Sequence, residues 1–190
     1  MKKKEFIYLE ILEAFFRDKT IKFTQKSLSE RLKTSLGLVN KTVKELEDFG
    51  IVEIRAKNLL LIDGKKLISF WATKRYLVKD ISYSTCIPQG VRYIEQNMPK
   101  DASFTAFSAY RLIYNDAPAD YGEVYVYAND NIGEFFPKSK GKPNFFAMKK
   151  QKDFGSLAPV SLIYVDLWNL KEWYAHDYLK ALDKKLFKEY

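Results

Sequence analysis

At 190 residues, 47% of them apolar and 16% aromatic, the chain can bury a core of its own, and this composition excludes a disordered polymer. A single cysteine, Cys86, excludes an internal disulfide, and with the single histidine, His176, it excludes a Cys/His zinc site. The net charge of +8 is unevenly spread: residues 1–80 hold 18 Lys/Arg against 11 Asp/Glu, whereas residues 81–190 hold 14 against 13.

A surplus of cations confined to one part of a chain reads as a phosphate-binding surface there. Lys2, Lys3 and Lys4 precede an apolar stretch, but Glu5, Glu10 and Glu13 interrupt it, so it lacks the unbroken core of a signal peptide. No run approaches the ~20 apolar residues of a membrane span. A cytoplasmic protein with no membrane partner and no cofactor is expected.

In chain order, Phe6, Leu9, Leu12 (or Ile11), Phe15 and Phe16 recur at helical spacing and predict an amphipathic helix over Glu5–Asp18. Ile21-Lys22-Phe23 is a short extended piece, and Thr24 is a candidate N-cap for a helix Gln25–Leu32 that buries Leu28 and Leu32. Thr34-Ser35 makes a turn and caps a third helix running to Phe49, with Leu36, Val39, Val43 and Leu46 as one apolar stripe and Gly50 as its stop. The period then changes from 3.6 to 2. Strands Ile51–Ala56 and Leu59–Ile62 are expected around a Lys57-Asn58 turn. Lys65–Arg75 reads as a helix linking the halves.

The second half is mixed. Helices are expected over Val91–Met98, Thr105–Tyr114 and Glu172–Tyr190, and strands over Glu123–Ala128, Asn144–Met148 and Ser161–Val165, with loops at Pro137–Pro143 and Gln151–Pro159. The expected class is α+β: an N-terminal winged helix-turn-helix domain (1–64), a linker helix (65–78) and a small mixed α/β domain (79–190).

The first half carries the clearest chemistry. The major groove of B-DNA admits one α-helix, so a reader needs a helix whose outer face holds donors near its N-terminus. The stripe of the third helix leaves Ser35, Leu38, Asn40, Lys41, Thr42 and Lys44 away from the core. Asn40 has the paired donor and acceptor that bridge adenine, Lys41 and Lys44 reach guanine edges or phosphates, and Leu38 can touch a thymine methyl. The hairpin tip adds Arg55, Lys57 and Asn58, and Lys22 and Lys26 lie near the start of the second helix to meet the backbone. The expected partner is double-stranded DNA. The first helix or the aromatic closing helix is a candidate dimer surface.

Catalysis has weaker support. Gly155-Ser156 followed by Asp166 at the end of an apolar strand has the outline of a minimal nucleotidyltransferase site, but Trp168 stands where a second metal-holding carboxylate is needed. Asp63-Gly64-Lys65 and Asp183-Lys184-Lys185 lie at a wing turn and in the last helix, not on the core strand that a nuclease triplet requires. Cys86 has no activating base beside it in sequence. Asp166 and Asn169 are therefore expected to cap the last helix. No catalysis is expected. The contrasting reading is an enzyme of nucleotide or nucleic-acid chemistry that docks its substrate on the winged helix.

Phe104-Thr105-Ala106-Phe107-Ser108-Ala109, the strand Glu123–Ala128 and the segment Val160–Leu182 (VSLIYVDLWNLKEWYAHDYLKAL) together resemble the C-terminal domain of AbiEi-type antitoxins. In that family a small-residue helical segment precedes a strand, and a late strand ends in Asp-Leu-x-Asn before the closing helix. The resemblance implies an autorepressor of a type IV toxin–antitoxin operon. Its second domain would counteract a nucleotidyltransferase toxin through protein contacts, without catalysis by this chain.

Overall fold

The computed structural model describes residues 1–187. The chain divides into two compact units, Met1–Lys74 and Arg75–Tyr190, and the class is α+β.

The first unit contains α1 (Lys3–Asp18), β1 (Lys22–Phe23), α2 (Gln25–Arg31), α3 (Leu36–Asp48), β2 (Val52–Ile54), β3 (Leu59–Leu61) and α4 (Gly64–Lys74). Its strands form an antiparallel sheet of order β1-β3-β2, in which Lys22 opposes Leu60 and Val52 opposes Leu61. The core is built from Ile7, Ile11, Leu28, Val39, Val43 and Leu46, all at most 1% exposed. Leu36 departs from the expected stripe: it is 52% exposed, because the first turn of α3 extends beyond the packed part of the helix. Leu32 is only half-buried. Gly50 (φ +63°) ends α3 as expected, with Ile51 N donating to Leu46 O and Gly50 N to Glu47 O.

The helix expected to link the halves belongs to the first unit. Trp71 of α4 is fully buried and its Nε1 donates to Glu5 Oε1 of α1 at 3.2 Å, while Gly64 passes so close to Phe15 that a Cβ would meet the ring at 2.6 Å. Any side chain at the start of α4 would require the Phe15 ring of α1 to shift.

The second unit opens with a 3-10 turn (Leu77–Asp80), then β4 (Ile81–Thr85), α5 (Gly90–Gln96), β5 (Ser103–Thr105), α6 (Ala106–Tyr114), β6 (Val124–Ala128), α7 (Ile132–Phe135), β7 (Phe145–Lys149), α8 (Val160–Trp168) and α9 (Ala175–Leu186). The sheet order is β4-β7-β6-β5, with β6 and β7 parallel and the outer pairs antiparallel. Three elements, β4, β5 and α7, go beyond the sequence expectation.

The segment expected as a strand at Ser161–Val165 is helix α8. Ser161–Leu167 are all buried. A run enclosed on every side has no polar face and so no period to separate helix from strand. The closing helix starts at Ala175 rather than Glu172, and the end of its expected range, 188–190, lies outside the described residues.

Candidate nucleic-acid interface

The geometry of α2 and α3 is set by short polar side chains at their starts. Thr24 Oγ1 accepts from Ser27 N at 3.0 Å and Ser35 Oγ accepts from Leu38 N at 3.2 Å, satisfying amide groups that the helices leave open. The connecting turn is locked by Ser29 Oγ donating to Thr34 O at 2.7 Å, with Lys33 in the left-handed region (φ +48°).

On α3, Lys41 and Lys44 are exposed, lie three residues apart on one face and make no ion pair among the described residues. Ser35 is exposed and Leu38 is half-buried. Thr42 is not a base contact. It is 2% exposed and its hydroxyl donates to Leu38 O at 2.8 Å, so the helix consumes its donor internally. Asn40 is half-buried and its Nδ2 donates to Gln25 Oε1 of α2 at 3.1 Å. That bond uses one of the two Nδ2 hydrogens, so the other and Oδ1 are left to bridge adenine, and Gln25 orients the amide. Nothing in the sequence distinguishes Gln25 from any other polar residue in a first helical turn.

In the β2–β3 turn, Arg55 N donates to Asn58 O at 2.7 Å and closes the loop. The Arg55 guanidinium lies on Glu53, with Nε 2.9 Å and Nη2 3.0 Å from its carboxylate oxygens. That hydrogen-bonded contact raises the arginine pKa and lowers the glutamate's. Arg55 is thereby paired, and Lys57 is the freer cation of the turn. Lys22, Thr24, Ser27, Lys57 and Asn58 come together around one open cavity of about 590 Å³. Asn58 Oδ1, buried there, has no hydrogen-bond partner among the described residues. Lys26 is exposed but sits 3.9 Å from Glu30.

The candidate catalytic residues of the second half do not assemble. Asp166 lies within α8, is fully buried and caps no helix. Its carboxylate accepts from Arg75 Nε at 2.9 Å, Thr105 Oγ1 at 2.8 Å and the Tyr127 hydroxyl at 2.8 Å. Burial pushes its carboxyl above the ordinary value, against the pull of Arg75 and the two hydroxyls. Asn169 caps the end of α8 rather than the start of the last helix, donating through Nδ2 to Val165 O. The Gly155-Ser156 turn lends its two carbonyl oxygens to Ser103 Oγ and Phe104 N of β5. No group of three His, Cys, Asp or Glu side chains among the described residues is placed to hold a metal ion.

Comparison with known proteins finds no matching family model, no matching curated sequence and no matching solved structure. No helix among the described residues is long and apolar enough to cross a membrane.

Proposed function

We infer that the first unit is a winged helix that binds double-stranded DNA, with α3 in the major groove and the β2–β3 turn as the wing on the flanking backbone. The reading is carried by one observation. α3 buries Val39, Val43 and Leu46 and leaves Lys41 and Lys44 exposed and unpaired, while Lys22 and Lys57 are exposed and likewise unpaired among the described residues. The order helix, strand, helix, helix, hairpin with a β1-β3-β2 sheet supports the same docking geometry. The chain acts by binding rather than turnover, as a cytoplasmic transcriptional regulator. The likeness of its second half to AbiEi-type antitoxins supports autorepression of a toxin–antitoxin operon, with the second unit making the contacts to its own copy or to the toxin.

The test is gel shift of the DNA upstream of the gene by the full chain and by Lys41→Ala with Lys57→Ala. Removing two phosphate contacts should weaken binding and reduce the log–log salt slope by about 1.8, with the circular dichroism spectrum unchanged. Equal affinity and equal slope in the double variant would refute the reading.

A further inference from the structure

The second unit carries a surface that duplex binding leaves unused. Pro137–Pro143 reads Pro-Lys-Ser-Lys-Gly-Lys-Pro, with lysine at alternate positions and no carboxylate among them. Lys138, Lys140 and Lys142 are exposed, yet the loop is held at several points. Ser139 N donates to Thr85 Oγ1 at 2.9 Å, and Thr85 Oγ1 in turn donates to Pro137 O at 3.1 Å. Lys138 Nζ donates to Ser84 O at 2.8 Å and lies 4.5 Å from the centroid of the Tyr83 ring. Gly141 (φ +130°) passes so close to Cys86 that a Cβ would meet its Sγ at 2.7 Å. Asn144 clamps the return, accepting from Ile87 N at 2.7 Å and donating to Ile87 O at 2.9 Å. Fixing like charges this close together works against folding, since a free chain would spread them. Elsewhere in the unit, Lys149 pairs with Asp130 and Lys150 with Asp153, but Lys140 and Lys142 make no ion pair among the described residues.

Beside the loop opens a cavity of about 180 Å³, bordered by Cys86, Pro88, Tyr93, Phe135, Pro137 and Ser139. Two large rings at its edge stay in water: Tyr93 is 42% exposed and Phe135 is 50% exposed. Phe135 is not displaced from the core, since its neighbour Phe136 is 1% exposed and packs 4.7 Å from Phe145. The cavity is smaller than the roughly 300–1,000 Å³ of drug-sized ligand sites, which leaves room for one planar ring. Exposed rings for a base face beside unpaired lysines for its backbone are the two components of single-strand recognition. A duplex offers no free base face to such a surface.

We propose that Tyr93, Phe135 and the Lys138–Lys142 loop form a binding face for single-stranded nucleic acid, on which an unpaired base stacks against the rings while Lys140 and Lys142 meet its phosphates. The proposal does not rest on duplex binding by the first unit. The probe is a short labelled oligothymidylate, titrated with the full chain by fluorescence anisotropy at low salt. Phe135→Ala should weaken binding roughly five- to hundredfold, and Phe135→Trp, which keeps a stacking face, should retain it. Lys140→Ala with Lys142→Ala should reduce the log–log salt slope by about 1.4. Both changes fall on exposed side chains and should leave the duplex shift intact. Failure of the native chain to bind the oligonucleotide overturns the proposal. So does binding that survives both sets of substitutions, and if Lys41→Ala with Lys57→Ala then abolishes it, the first unit is the binder.

Discussion

Taking the Asp166 carboxylate out of water costs several kcal/mol before any partner is counted. The second unit offsets that cost with a connected set of donors. Arg75 is shared between Asp166 and Asp80 and also donates to the Tyr127 hydroxyl, which donates onward to Asp166. Removing one charge of such a pair leaves the other stranded, so Asp166→Ala should destabilise the second unit by about 3–5 kcal/mol. Tyr127→Phe deletes only a relay between two charged groups and should cost about 1–3 kcal/mol. Urea unfolding of both variants checks the ranking, and a smaller loss for Asp166→Ala than for Tyr127→Phe would mean that the ion pair is not the centre of the network. Asp166 was conspicuous in the sequence as a lone carboxylate after an apolar run, but its partners Arg75, Thr105 and Tyr127 lie 39 to 91 residues away and no local spacing announces them. Thr42 failed as a base contact for the opposite reason. Its partner, Leu38 O, is one turn back in the same helix, and composition cannot tell a hydroxyl spent on the backbone from one offered to solvent.

Under the proposed reading α3 uses its first turn for both stability and contact, and the two roles can be separated at Ser35. Loss of the cap in Ser35→Ala should cost about 0.5–2 kcal/mol. Ser35→Asp keeps an acceptor for the Leu38 amide and adds a charge that suits a helix N-terminus, so stability should be retained. That same charge would face duplex phosphates, so Ser35→Asp should bind DNA much less well than the native chain while unfolding at the same urea concentration. Native affinity in Ser35→Asp would place the start of α3 away from the duplex. Elements with one wet face were legible because their period survives in the sequence: α1 and α3 show it, and Gly50 marks the end of α3 with a conformation few other residues adopt. α8 was not legible, being apolar on every side. β5 was hidden because its three residues, all buried, run straight into α6 through Ala106 at φ +50°, a corner that no glycine advertises.

At the scale of the whole chain, the question is whether binding follows net charge or its placement. The first unit holds 16 Lys/Arg against 10 Asp/Glu and the second 16 against 14, so most of the surplus lies in the first unit, although α3 itself carries three carboxylates beside Lys41 and Lys44. A protein attracted to DNA by overall charge alone would respond equally to any two reversals. Lys41→Glu with Lys44→Glu and Lys180→Glu with Lys184→Glu make the same change in net charge, the first on α3 and the second on exposed positions of α9. Charges farther from the contact than the Debye length, about 8 Å at physiological salt, are largely screened. The α3 pair should abolish the duplex shift at physiological salt, whereas the α9 pair, outside the unit proposed to dock, should change it less than about threefold. Filter binding across a salt series resolves the two, because only the α3 pair should flatten the slope. Parallel losses in both variants would show that the cations of the first unit form no docking face and that the chain meets DNA only as a diffuse positive charge.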